Sequence, residues 1–100
     1  MSKFDELREK ILPVLQPYVQ QIAVFGSYAR GEEVATSDID ILVELRPISQ
    51  RPSLGLRWFG LEAELAQLLG REVELVTDAE LSPYIRPFVE KDMVIIYEEG

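Results

Sequence analysis

The sequence predicts an α/β fold in which a mixed, twisted β-sheet of about four strands is covered by helices. Two observations carry this prediction. Short apolar runs bounded by glycine, proline or polar residues recur along the chain, as is typical of strands, whereas longer segments place apolar residues three and four positions apart, as is typical of helices. Their order is helix, strand, strand, helix, strand, helix, strand, which favours a sheet with helices packed on it.

The chain length and composition predict one domain that spans residues 1–100. One hundred residues, 47% of them hydrophobic, suffice for one core and leave no room for a second. No run of eighteen apolar residues and no secretory leader pattern is visible, so we expect no membrane association and a cytoplasmic location. The apolar content is also compatible with a homodimer.

The N-terminal segment predicts a helix with a capping box. Ser2 is followed three residues later by Asp5, and this spacing allows the two residues to bind each other's backbone amides. Pro13 lacks an amide donor, so we expect the helix to end or kink there. The apolar positions recur at helical spacing: Phe4, Leu7, Ile11 and Leu15.

A buried strand follows, and it ends at a glycine. The apolar run 22–25 is bounded by Gly26, whose missing side chain allows a close approach of the backbone, and Ser27 adds a hydroxyl. If residues 28–30 form a short helical turn, its free amides point back towards this position and attract phosphate. An ordinary turn is the simpler alternative for an isolated Gly-Ser.

Two aspartates open the next strand, which covers residues 38–45. Side chains alternate across a strand, so Asp38 and Asp40 share one face, whereas Ile39 and Ile41 share the other. Two carboxylates on one face repel each other unless cations or donors lie beside them. For an isolated Asp-x-Asp, an exposed strand end is the alternative interpretation.

Residues 46–53 contain two prolines and no apolar period, which predicts a loop near the end of the sheet that carries the aspartates. The arginines of this region, Arg46, Arg51 and Arg57, are either solvated charges or contacts for phosphate or a partner. The next helix is predicted by apolar residues spaced four, three, four and three apart, with Gly70 at its C-terminal end. These residues are Leu54, Trp58, Leu61, Leu65 and Leu68.

The remaining segments predict two strands and one short helix. Residues 72–76 alternate polar and apolar, so Glu72 and Glu74 face the same way and can present a third carboxylate to the aspartates if the strands are neighbours. Ser82 is a candidate N-cap. A short helix with Pro83 at its first position would then carry the apolar residues Tyr84, Ile85, Phe88 and Val89, interrupted by Pro87, before a last strand over 93–97.

Composition limits the chemistry to oxygen ligands. The chain has no cysteine and no histidine, so metal binding and acid-base steps would use carboxylates, which suit Mg²⁺ or Mn²⁺. The formal charge of -8 argues against an extended nucleic-acid footprint. A nucleotide carried with its cation and a basic protein partner are both compatible with this charge, as is a role in solubility alone.

The glycine, serine and aspartate positions together resemble a known family. Gly26 and Ser27, ten further residues and then Asp38 and Asp40 are similar to the GSx10DxD motif of the DNA polymerase beta-type nucleotidyltransferase superfamily. The wider pattern from about Ile22 to Val76 resembles its minimal, single-domain members. The resemblance implies the nucleotidyltransferase fold and transfer of a nucleoside monophosphate from a nucleoside triphosphate to an acceptor hydroxyl.

By this resemblance, Gly26 and Ser27 would hold the triphosphate of ATP, with Arg30 as a further nucleotide-binding candidate. Asp38 and Asp40 would bind Mg²⁺, or alternatively Mn²⁺.

The family's third carboxylate, usually an aspartate, falls on Glu74, where it would bind metal and help to deprotonate the acceptor. Glutamate is one methylene longer, so this chain departs from the family pattern at that position, and Glu72 is a weaker substitute.

Minimal members of this family are often paired with helical HEPN-type ribonuclease toxins. The resemblance therefore implies an antitoxin that transfers AMP to a tyrosine of such a toxin. Two alternatives stay open. One is a catalytically weak or inactive binding module that neutralises its partner by contact, and the other is a transferase for a small hydroxylated molecule.

Overall fold

The computed structural model of the chain describes residues 2–32, 34 and 37–99. Its helices are α1 (Lys3–Leu15), α2 (Gly26–Arg30), α3 (Arg57–Leu69) and α4 (Arg86–Asp92). Its strands are β1 (Val19–Phe25), β2 (Ile39–Leu45), β3 (Val73–Thr77) and β4 (Val94–Glu98). Two short 3-10 turns cover Ile48–Gln50 and Asp78–Glu80.

The four strands form one mixed sheet in the order β3-β2-β1-β4. Strand β1 is antiparallel to both β2 and β4, whereas β2 and β3 are parallel. A parallel pair needs a long crossover connection, and α3 supplies it between β2 and β3. The predicted mixed sheet with helices is thus confirmed.

Helix α1 begins at the predicted capping box. The amide of Asp5 donates to Oγ of Ser2 over 3.2 Å, and the amide of Ser2 donates to Oδ2 of Asp5 over 3.4 Å. The sequence predicted that the helix ends or kinks at Pro13. The prediction of an end was wrong, because α1 continues to Leu15. Glu9 and Pro13 are both exposed, so water can hydrate the carbonyl that lacks a helical donor.

The main core lies where α1 and α3 cover one face of the sheet. Its largest fully buried side chains include Ile11, Leu15, Ile22, Ile41, Leu61 and Leu65. Gly70 ends α3 with φ of 70°, as predicted. Leu54 packs against the core as predicted, but from a position before the helix. The prediction was wrong at Leu68, which is 46% exposed, and Leu69 packs against the core instead.

Helix α4 covers the opposite face, where Ala23, Leu42 and Val89 form a smaller buried cluster. This helix begins at Arg86 with a proline in its first turn, a position that proline favours.

The prediction of Ser82 as an N-cap was therefore wrong. Its hydroxyl accepts from the amide of Tyr84 over 3.1 Å within a preceding turn. Three of the four apolar residues predicted for this helix, Tyr84, Ile85 and Phe88, are exposed.

The connection after β2 leaves the sheet at the end opposite Asp40, so its predicted position beside the aspartates was wrong. Arg46 lies at that far end, where it pairs with Glu99 and donates to the carbonyl of Gln16 over 3.1 Å. Arg57 pairs with Glu64 at 3.2 Å. These arginines are committed to contacts away from the aspartates.

Strand β3 forms one edge of the sheet, and two of its amides bind carboxylates. The amide of Leu75 donates to Oε2 of Glu62 over 3.2 Å, and the amide of Thr77 donates to Oε1 of Glu80 over 3.4 Å. Glu62 belongs to α3 and Glu80 to the 3-10 turn that follows the strand. This edge is therefore partly covered by side chains of the same protein.

None of the helices in the described ranges is both long and apolar enough to span a membrane.

Candidate active site

Asp40 lies between two neighbours that the strand register fixes. On one side it is opposite Phe25, the last residue of β1, and on the other it is opposite Glu74 of β3. Asp38 precedes β2 by one residue, and both Asp38 and Glu74 are exposed, whereas Asp40 is half-buried. The parallel pairing of β2 and β3 thus places the sequence-distant Glu74 beside Asp40, and Asp38 lies at the same end of the sheet.

The pKa of Asp40 reflects these neighbours. Partial burial, a hydrogen bond with the side chain of Glu74 and the negative charges of Glu74 and Asp38 raise the pKa of Asp40 to about 6. The positive charge of Arg30 acts in the opposite direction. A hydrogen bond between two carboxyl groups requires a proton on one of them. Asp40 is therefore partly protonated under mildly acidic conditions.

Gly26 is required by the carboxyl group of Asp40. The backbone of Gly26 has a φ of 71°, which side chains rarely tolerate, and a Cβ atom built there would overlap Oδ2 and lie 3.2 Å from Cγ of Asp40. The sequence suggested a close approach at this glycine, and in the structure the approaching group is a carboxylate of the same chain.

Helix α2 begins at Gly26, two residues earlier than the predicted turn over 28–30, and packs against β1, β2 and α4. Ser27 is half-buried in its first turn, where the backbone amides have no partner within the helix. Gly31 ends the helix with φ of 76°. The predicted donor-rich turn is therefore present beside Asp40.

Tyr28 fastens α2 to the start of α1. Its buried ring meets that of Phe4 edge-to-face with centroids 6.0 Å apart. The ammonium group of Lys3 lies 4.4 Å from the Tyr28 ring and donates to the Tyr28 carbonyl over 2.7 Å. These contacts hold the helix that carries Gly26 and Ser27 in a fixed position.

Arg30 links α2 to α4 at the margin of the site. Its guanidinium pairs with Glu32 at 3.0 Å and with Asp92 of α4 at 3.4 Å. Two adjacent carboxylates and the hydrogen bonds to them raise the pKa of Arg30 further, so its charge is permanent. The structure brings this predicted nucleotide-binding residue near Asp40, with its guanidinium already paired.

Arg71 is a supporting residue that the sequence did not indicate. Its Nη2 donates to the carbonyl of Val34 over 2.6 Å and its Nε to the carbonyl of Ser37 over 3.2 Å, immediately before Asp38. The same guanidinium lies 5.9 Å from the Tyr28 ring. Arg71 thus joins the segment that leads into Asp38 to α2, through contacts that no sequence spacing predicts.

The carboxylates fit a divalent cation in chemistry but are not preassembled for one. Within residues 2–32, 34 and 37–99, no group of three or more carboxylates is arranged to hold a metal ion. The donors Asp38, Asp40 and Glu74 are nevertheless all oxygens, as Mg²⁺ and Mn²⁺ prefer. Burial is the largest cause of the raised pKa of Asp40, and the negative charges of Glu74 and Asp38, which a cation would neutralise, add to it. Glu72 is exposed and lies before β3.

Comparison with known proteins gives one family and several relatives. A profile of the family described as nucleotidyltransferase domain matches residues 5–96. Protein adenylyltransferase MntA of Thermococcus cleftensis is 42% identical to this chain over 91 residues, a match that covers 91% of this chain and 82% of the relative.

Two solved structures share the fold. A crystal structure of a toxin-antitoxin with AMP-PNP has a TM-score of 0.73 and 28% identity, and the match covers 96% of this chain and 74% of the other. A second structure, a tri-AMPylated HEPN toxin of Shewanella oneidensis in complex with an MNT antitoxin, has a TM-score of 0.69 and 26% identity, with 96% and 73% covered.

Proposed function

Since this chain belongs to the nucleotidyltransferase domain family, we propose that it transfers AMP from ATP to a tyrosine hydroxyl of a HEPN-type toxin and thereby acts as an antitoxin. One observation carries the site assignment. Asp40 and Glu74 lie opposite each other on β2 and β3, directly beside the glycine that begins α2. Family motif and third carboxylate thus meet at one end of the sheet.

In this proposal Asp38, Asp40 and Glu74 hold Mg²⁺ or Mn²⁺. When bound, the cation supplies positive charge that stabilises the oxygens of a phosphoryl transfer. The side chains of Asp38 and Glu74 are exposed, so they can rotate towards Asp40. The carboxyl group of Asp40 lies against the backbone of Gly26. This assignment is supported by the all-oxygen donor set. It is also supported by the negative charges of Glu74 and Asp38, which contribute to the raised pKa of Asp40.

The nucleotide is held by the start of α2. Gly26 and Ser27 offer backbone amides and a hydroxyl to the triphosphate, and Arg30 offers a permanent positive charge once it exchanges Glu32 or Asp92 for a phosphate oxygen. The contacts of Tyr28 with Lys3 and Phe4 keep this helix in place. AMP-PNP in a structurally similar toxin-antitoxin is consistent with ATP as the donor.

The proposed transfer is an in-line displacement. The tyrosine oxygen of the acceptor forms a bond to the α-phosphorus of ATP, the bond from that phosphorus to the bridging oxygen breaks, and pyrophosphate leaves. The hydroxyl proton passes to the carboxylate of Glu74, which is exposed and therefore accessible to an acceptor. Asp40 is half-buried and lies against Gly26, so it keeps its position during the transfer.

The proposal of a partner rests on the proteins found together with the matched chains in similar solved structures. One of them contains an AMPylated HEPN toxin together with an MNT antitoxin, and the present chain covers 73% of the matched chain. The acidic charge of this protein, -8, suits a partner with a basic surface.

A second candidate function is neutralisation by contact without transfer. It is favoured by the carboxylates themselves, because in the described ranges they are not gathered into a group that holds a metal ion. Glu74 also stands where the family pattern has an aspartate. No observation on this chain favours a small hydroxylated acceptor over a protein.

The deciding experiment combines the purified protein with a HEPN-type toxin from the same genome, ATP labelled at its α-phosphorus, and Mg²⁺. We expect label on a tyrosine of the toxin and loss of its ribonuclease activity, and both are lost with Asp40→Asn. Glu44→Gln, on the same strand but at its far end, serves as the control. Inhibition without label would favour neutralisation by contact, and neither inhibition nor label would reject the toxin as partner.

A further inference from the structure

An open groove lies between α3 and the edge strand β3. Its volume is about 520 Å³. The lining residues combine apolar and acidic side chains: Trp58, Phe59, Glu62, Ala63, Ala66, Glu72 and Val73. The proposed chemistry of the carboxylate site uses none of the α3 residues among them.

The apolar part of the groove is unusually exposed. Phe59 is 76% exposed, and Leu56, whose carbonyl accepts from the amide of Phe59 over 3.2 Å, is 85% exposed. Trp58 is half-buried and packs against the main core on its other side. Large apolar side chains clustered at a concave surface are typical of protein interaction sites.

The charged part of the groove is acidic. Glu62 and Glu72 are the only charged residues among those that line it. The nearest arginines on the two elements are engaged elsewhere, because Arg57 pairs with Glu64 and Arg71 donates to the carbonyls before Asp38. An occupant with lysine or arginine next to an apolar side chain would match both parts of the groove.

The groove ends next to the carboxylate site. Glu72, one of its lining residues, precedes Glu74 by two positions, a distance of about 7 Å along a strand. The carbonyl of Glu72 accepts from the amide of Ile39, between the two aspartates, over 2.9 Å. Val73 and Leu75 face the core beneath α3, so the alternation along β3 turns Glu74 towards the other face of the sheet. A segment bound in the groove therefore has to pass the start of β3 to bring a hydroxyl to Glu74.

We infer that the groove between α3 and β3 binds the partner segment that carries the acceptor hydroxyl, and that this segment places an apolar side chain on Phe59 and a lysine or arginine against Glu72. The inference rests on the proposed function for the role of the hydroxyl. The groove supplies the binding contacts, and Glu74 lies at the end where the hydroxyl would arrive.

A second exposed apolar surface, at α4, is a weaker candidate for this segment. Tyr84, Ile85 and Phe88 are exposed on the opposite side of the sheet, next to the basic residues Arg86 and Lys91. Arg86 pairs there with Asp78 and Glu90, so this surface carries both signs of charge and attracts a basic segment less than the acidic groove does. Phe88, at 74% exposed, is also a close match to Phe59 in exposure and in helical setting, which makes it a suitable control position.

The test uses a fluorescein-labelled peptide in which lysines and leucines flank one tyrosine, and a counterpart with glutamate in place of each lysine. Fluorescence polarisation measures binding to the full chain and to Phe59→Ser, Glu72→Lys and Phe88→Ser, each checked for folding by circular dichroism. We expect the basic peptide to bind, its Kd to rise at least tenfold with Phe59→Ser and with Glu72→Lys, and to stay within twofold with Phe88→Ser. Glu72→Lys should also improve binding of the acidic peptide.

Absence of binding by the basic peptide, equal binding of both peptides, or loss of binding only with Phe88→Ser would each overturn the inference. Incubation of the same peptides with ATP and Mg²⁺ separates it from the proposed function. Binding that Phe59→Ser weakens, without AMP on the tyrosine, leaves the groove as a docking site and counts against the transfer. AMP on the tyrosine at an unchanged KM in Phe59→Ser supports the transfer and overturns the docking site.

Discussion

Asp40 and Glu74 lie directly opposite each other on parallel strands, and the carboxyl group of Glu74 helps to raise the pKa of Asp40. Asp40 precedes α3 in the chain and Glu74 follows it, so the two residues become neighbours only when β2 and β3 pair in the sheet. Their mutual repulsion without a cation makes the free protein respond to pH and to divalent ions in ways that can be measured.

The first prediction concerns stability and pH. The folded pKa of Asp40 is about 6, above the ordinary value of about 4, so between these values the folded state binds more protons than the unfolded state. Its contribution to stability is therefore greatest below about pH 4 and is lost as the pH rises through about 6. The variant Asp40→Asn should not show this pH-dependent loss of stability. It should therefore be more stable than the parent above about pH 6, but not below about pH 4, the two limits of the pH window.

Urea unfolding of parent and variant in a chelating buffer, on both sides of the window, checks this prediction. Glu98→Gln, at the end of the edge strand β4, is a control that should follow the parent at every pH. A constant difference between Asp40→Asn and the parent across the window would contradict the assigned pKa.

The second prediction concerns divalent cations. Mg²⁺ or Mn²⁺ should raise the thermal midpoint of the parent, because bound cation stabilises the folded state and relieves the repulsion at Asp40. Asp38→Asn combined with Asp40→Asn should abolish the shift. Chelator should stop AMP transfer by the parent, and added Mn²⁺ should restore it. An equal rise of the midpoint in parent and double variant would point to binding elsewhere.

The third prediction compares two glycines. Gly26→Ala places a methyl group against Oδ2 of Asp40 at a φ of 71°, and should destabilise the protein by about 2–4 kcal/mol. Gly60→Ala lies in an open helical position and should stabilise it by about 1 kcal/mol. Denaturant unfolding measures both.

The fourth prediction concerns Glu74. Glu74→Gln removes the proposed proton acceptor and should lower kcat about 100-fold, whereas Glu74→Asp keeps the charge, restores the residue of the family pattern, and should retain most of the activity. Steady-state transfer with labelled ATP measures both rates. Full activity of Glu74→Gln would exclude Glu74 from the chemistry and direct attention to Glu72.

The fifth prediction concerns Arg71 as a positioning residue. Arg71→Ala removes the donors to the carbonyls of Val34 and Ser37 and should lower kcat with little change in the KM for ATP, because Asp38 loses its support while α2 keeps its own contacts. Arg71→Lys should recover part of the rate. Arg57→Ala, which removes an exposed pair with Glu64 and a hydrogen bond with the side chain of Tyr18, is the matched control and should leave kcat unchanged.

Periodicity and local chemistry predicted most of the fold. The capping box at Ser2, the αL position of Gly70 and the four-stranded mixed sheet were all confirmed. The errors have a common origin, because each depended on contacts that a single segment does not record. Pro13 stays within α1 since the carbonyl of Glu9, which loses its helical donor, belongs to an exposed residue that water can reach, and α4 begins at Arg86 because Pro87 favours the first turn.

The candidate site was predictable to the same extent. The spacing of Gly26, Ser27, Asp38 and Asp40 indicated a family. The family profile that matches residues 5–96 establishes that this chain belongs to it. The alternation of residues 72–76 indicated a third carboxylate, but only the parallel register places Glu74 opposite Asp40. Arg71 was beyond sequence reasoning, because its carbonyl partners are remote in the chain. The catalytic and metal-binding roles of these residues stay predictions.

The carboxylates of Glu62 and Glu80 that bind the amides of β3 have a consequence for how this protein behaves at high concentration. Sheet edges with free amides are the places where chains add to one another and form fibrillar aggregates. Here two amides of the edge are occupied from within, by negatively charged groups that also repel a second copy. The groove beside β3 is thus open to side chains of a partner, while the strand itself is a poor template for polymerisation.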